Sequence, residues 1–118
     1  MMERRLASSD RRGVPRTPAV FAVKKSEAGA VQLCQAEDIA PGGITILRPR
    51  GTSVEPSTEV SLAFALPGSA EEIATRGVVV NDTIAGSFRR TGVRFIALRP
   101  DHAQLIGGYC RRIPRPRQ

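Results

Sequence analysis

At 118 residues the chain has enough material for one domain around one modest core, and not for two. Only 4 % of it is aromatic, which leaves the core to Val, Ile, Leu and Ala and argues against a stacking platform for RNA bases. The net charge of +7 sits at the ends: residues 1–25 hold seven Lys/Arg against two acids and residues 111–118 hold four Arg and no acid, whereas residues 26–110 hold seven against nine. A folded basic stripe for duplex nucleic acid is therefore disfavoured, although basic arms can still meet phosphate.

Residues 1–18 read as a flexible basic arm, because Ser8, Ser9, Gly13, Pro15 and Pro18 interrupt any helix or strand period. The first strand is expected at Ala19 to Lys24, followed by a turn in "SEAGA", a strand at Val31 to Ala36, a turn in "DIAPGG" and a strand at Ile44 to Leu47. A Pro/Gly/Ser-rich loop runs from Pro49 to Ser57. In "EVSLAFAL" the period is two, with Val60, Leu62, Phe64 and Leu66 on one face. "IATRGVVVND" (Ile73 to Asp82) and "TGVRFIAL" (Thr91 to Leu98) complete six short strands, the signature of a small antiparallel barrel or sandwich.

The last segment changes period. Pro100 suits a first helical turn, Asp101 the positive helix end, and Arg111 and Arg112 the negative end. Ile106, Tyr109, Cys110 and Ile113 share one face of that helix, Gly107 and Gly108 weaken it by about 1 kcal/mol each, and Pro114 stops it. Residues 114–118 read as a disordered basic tail. The expected division is thus arm 1–18, β-domain with helix 19–113, and tail 114–118.

Few residues are suited to catalysis. Cys34 and Cys110 lie 76 positions apart without metal-ligand spacing, and His102, the single histidine, is expected at the surface of the helix with no nucleophile or carboxylate constellation. An enzyme is disfavoured, and neither a cofactor nor a metal is implied. No apolar run suits a signal peptide or a membrane span, which points to the cytoplasm.

Two short segments do suit ligand binding. In "RRGVPR", Arg12 and Arg16 can offer charge-assisted, bidentate hydrogen bonds to phosphate or to the O6/N7 edge of guanine. In "DIAPGG", the Asp38 carboxylate can accept from a guanine N–H, and Gly42 and Gly43 permit positive φ and close approach of a ligand to the backbone. Each segment has a plainer reading on its own, a solvated tail and a β-turn. Together they describe a site for a small anionic guanine nucleotide.

In this order and setting the chain resembles the PilZ domain family, receptors for cyclic di-GMP. Arg12-Gly-Val-Pro-Arg16 matches the family's RxxxR, and Asp38-Ile-Ala40-Pro-Gly-Gly43 matches its [D/N]xSxxG at Asp38 and Gly43. The resemblance covers residues 10 to 113 and implies a six-stranded antiparallel β-barrel with a C-terminal helix, all-β apart from that helix. It also implies that Arg12 and Arg16 grip phosphate and guanine, that Asp38 and the backbone near Gly43 hold the other side, and that Arg11 suits a stacked ligand dimer. Ala40 stands where the family has Ser, a departure that removes one neutral hydrogen bond of about 0.5–1.5 kcal/mol.

The function so implied is second-messenger reception in the control of motility or biofilm formation, with the arm ordering on the ligand and an effector protein reading the change. The alternative is a degenerate adaptor that acts by protein contacts alone. A homodimer is compatible with either.

Overall fold

A computed structural model of the chain describes residues 16–51 and 53–112. Among the described residues seven strands precede one helix: β1 (Thr17–Pro18), β2 (Ala22–Glu27), β3 (Ala30–Ala40), β4 (Gly43–Pro49), β5 (Glu59–Phe64), β6 (Ile73–Ala85), β7 (Phe88–Phe95) and α1 (Pro100–Arg112). All pairings are antiparallel, in the order β1-β3-β2-β5-β6-β7-β4, and a β3–β4 pairing closes the last six into a barrel.

The period-two pattern dictates what fills the barrel. Val23, Ala36, Ile44, Ile46, Val60, Leu62, Phe64, Ile73, Val79 and Val93 all point inward and are buried. Helix α1 adds Ile106 and Tyr109 to the same cluster, and Cys110 Sγ lies 3.6 Å from the Ile39 carbonyl oxygen of β3. Both cysteines are free thiols, and burial pushes the Cys34 thiol up from its ordinary value.

Several sequence expectations shift. The first strand is in two pieces: Thr17 and Pro18, expected in the arm, pair with Ile39 and Asp38, and the irregular stretch before Ala22 is held by hydrogen bonds from Ala19 N–H to the Glu37 carbonyl and from Ala36 N–H to the Phe21 carbonyl. The β2–β3 hairpin turns on Ala28 and Gly29, both at positive φ (51° and 85°), which matches the right-handed twist of the flanking strands. His102 is buried, not at the surface, because 102, 106 and 109 recur on the helix face that packs on the barrel; its Nε2 lies 3.3 Å from Glu71 Oε2. Ile113 and the tail lie outside the described residues.

Strands β6 and β7 are longer than their apolar pattern suggests. They run on as a hairpin to Ala85 and Phe88, and polar chemistry replaces apolar alternation there. Asp82, 3 % exposed, accepts from Thr91 Oγ1 (2.6 Å), Arg89 Nε (2.9 Å), Arg48 Nη2 (3.0 and 3.1 Å) and the Val54 N–H (3.0 Å). Burial alone would raise the Asp82 carboxyl, but these donors outweigh it and bring it from 3.8 to about 2. The cluster ties the Val54 loop, β4 and the β6–β7 hairpin together.

Candidate functional site

The outer face of β3 carries the site because of a bulge. Ala36 pairs with Ile46 and Asp38 with Thr45, so Glu37 is an extra residue in β3. Glu37 and Asp38 thereby present neighbouring carboxylates, each of which holds one arginine.

Asp38 Oδ1 accepts from Arg16 Nε at 2.6 Å, and Arg16 Nη2 reaches Thr45 Oγ1 at 3.4 Å. Glu37 accepts from Arg90 Nε (2.7 Å) and Nη2 (3.0 Å), a side-on bidentate pair. Arg90's hydrogen bonds hold the Glu37 carboxyl below its ordinary value, and Glu37 in turn raises the Arg90 guanidinium. Arg16, Pro18, Glu37, Asp38, Thr45 and Arg90 line an open depression of about 520 Å³, within the range of small-ligand sites, roughly 300–1,000 Å³. Two cations and two carboxylates facing one concavity can offer forked donors to phosphate and acceptors to a base edge.

Among the sequence-predicted site residues, the fold brings Arg16 and Asp38 together in this depression. Arg11 and Arg12 lie outside the described residues. Ala40, Gly42 and Gly43 stand at the β3–β4 hairpin that ends the same strand pair, beyond the lining. Gly42 is exposed, and its carbonyl accepts from the Phe95 N–H at 2.9 Å. Ala40 is 3 % exposed.

The expected positive φ is absent at both Gly42 and Gly43. The two-residue turn closes on Pro41 and Gly42 without it. Gly43 is constrained for a different reason, since a Cβ there would sit 2.5 Å from the Val93 carbonyl oxygen of β7. Gly43→Ala is accordingly expected to lower stability by about 1–3 kcal/mol through overpacking. A urea titration would show this as a lower midpoint at unchanged slope.

Sequence reasoning missed Glu37, Thr45 and Arg90. Arg90 is 53 positions from its partner, and only the β3 bulge and the β4–β7 register put them together. The one available signal was the unbroken run of β7 through "FRRTGVRF".

The family model of the PilZ domain matches residues 10–112. The chain belongs to the PilZ domain family.

Solved PilZ structures agree with the barrel. The chain is similar to the Bacillus subtilis inhibitor of motility MotI/DgrA (23 % identity, TM-score 0.79, 87 % of this chain and 51 % of that one). It is also similar to the cyclic di-GMP-bound PilZ domain of YcgR from Escherichia coli (14 %, TM-score 0.67, 86 % and 89 %) and to the MrkH–cyclic di-GMP complex of K. pneumonia (18 %, TM-score 0.70, 85 % and 51 %). This PilZ chain thus spans about half the length of the Bacillus and Klebsiella proteins. No curated protein matches it. Among the described residues, no helix is long and apolar enough to cross a membrane.

Proposed function

We propose that the chain is a non-catalytic receptor for cyclic di-GMP, with Arg12, Arg16 and Asp38 as principal contacts and Arg11, Ala40, Gly42 and Gly43 beside them. The observation that carries this reading is the 2.6 Å pair of Arg16 with Asp38 at the depression. It joins the second arginine of RxxxR to the first residue of the second motif across 22 positions of sequence. Arg12 enters the proposal through the motif alone, as the first arginine of RxxxR.

A ligand that takes the Nε edge of Arg16 or the Oδ1 of Asp38 displaces one from the other. That pair is partly exposed, 44 % and 25 %, and such pairs contribute only about 0–1 kcal/mol. A charge-assisted bond from Arg16 to a phosphodiester, plus one from a guanine N–H to the freed Asp38, exceeds that cost. Output runs through an effector protein that reads the liganded surface, in motility or biofilm control.

Titration calorimetry of the chain with cyclic di-GMP tests the reading, and no heat at tens of micromolar would overturn it. The second reading, an adaptor without ligand, draws on Ala40 where the family motif has Ser. Ala40→Ser is expected to tighten binding roughly two- to tenfold by supplying one neutral hydrogen bond. Unchanged affinity would show that position 40 does not reach the ligand.

A further inference from the structure

Arg90 belongs to no motif, yet it faces the same depression as Arg16. Its Nε and Nη2 are both taken by Glu37, side-on. Its Nη1 makes no hydrogen bond among the described residues, so the end-on pair of N–H groups is left for a guest. The geometry of a guanidinium makes this a divided arrangement: one edge fixes the group and the other edge presents a planar donor fork.

The bulge supplies the fixing residue. Without the extra residue in β3, Glu37 and Asp38 would point to opposite faces. With it, two adjacent carboxylates hold two arginines from distant segments, β7 and the start of β1, around one concavity. Arg90 lies across from Leu47 of β4 in register, one step along the same outer face from the Thr45–Gly92 pair, so it lines the depression together with Arg16.

We propose that Arg90 is a third ligand-gripping guanidinium of this site, directed to a phosphate or guanine edge of the nucleotide, and that Glu37 is the positioning residue that aims it. The inference rests on the cyclic di-GMP reading and adds a contact outside the two motifs. Held by Glu37, Arg90 loses little rotamer freedom when the ligand arrives, and that is the value of a preorganised contact.

Calorimetric titration of the whole chain with cyclic di-GMP separates the possibilities. Arg90→Ala is expected to weaken binding about tenfold or more, and Arg90→Lys to recover little of it because the charge returns without the fork. Glu37→Ala is expected to weaken binding about threefold, although it removes a negative charge near an anionic ligand, and to add nothing in the Arg90→Ala background. Both side chains are substantially exposed, so thermal midpoints should stay near wild type and report intact folding. Wild-type affinity in Arg90→Ala would overturn the contact, and tighter binding by Glu37→Ala would overturn the positioning role. If the unsubstituted chain itself does not bind, the receptor reading falls and this inference falls with it.

Discussion

Arg16→Ala is expected to weaken cyclic di-GMP binding by roughly 10- to 150-fold, the equivalent of one charge-assisted contact of about 1.5–3 kcal/mol. The fold should not notice. Arg16 is 44 % exposed and its pair with Asp38 lies at the surface, so the thermal midpoint should move little. Arg16→Lys keeps a charge but loses the fork that pairs with two oxygens at once, and should fall between the two. Because a cation is removed from an anion site, the dependence of affinity on salt should also become shallower in the alanine variant. Calorimetry at two salt concentrations reads all of this. Wild-type binding by Arg16→Ala would mean that the ligand, if it binds, is held elsewhere.

Asp82 should control stability as Arg16 should control binding. Asp82→Ala removes the acceptor that Thr91, Arg89, Arg48 and the Val54 N–H share, from a side chain that is only 3 % exposed. Removing one partner from a buried ion pair costs about 3–5 kcal/mol. Urea unfolding at neutral pH should show that loss, and a loss under about 1 kcal/mol would mean that water reaches the cluster. The pH dependence has a definite sign. The Asp82 carboxyl lies at about 2 in the folded chain against an ordinary 3.8; the depressed folded value makes its stabilisation fully present above about pH 4. That stabilisation, about 2 kcal/mol, is lost as pH falls toward 2. The alanine variant should lack this acid branch.

How much of this was legible in sequence follows from which interactions are local. Val60, Leu62, Phe64 and Leu66 announced an inward face by strict alternation, and all four are buried. Pro100, Asp101, Arg111 and Arg112 marked the ends of α1 through capping and dipole chemistry, and its span is Pro100–Arg112. His102 is buried and not at the surface, on the face that its spacing from Ile106 and Tyr109 marks. The far half of the β6–β7 hairpin was hidden because Asp82, Arg89 and Thr91 stabilise it through ions and hydroxyls, which leave no apolar period to read.

The two motifs were visible as residue types at fixed spacing, since RxxxR and DxAxxG are short-range patterns. Their meeting was not. Chain order alone cannot say that Arg16 reaches Asp38, and it carries no sign of Glu37 and Arg90 at all.

Strand alternation, the helix with its ends, the family motifs and the segregation of positive charge to the termini are all written in the order of residues. All of these depend on neighbours a few positions apart. Folding alone aligns two carboxylates at the Glu37 bulge, brings Arg16 and Arg90 to them, and sets Gly43 at the close approach of β4 to β7. Barrel closure and strand register bring together residues 22 to 53 positions apart, and neither residue of such a pair carries a local mark of the other.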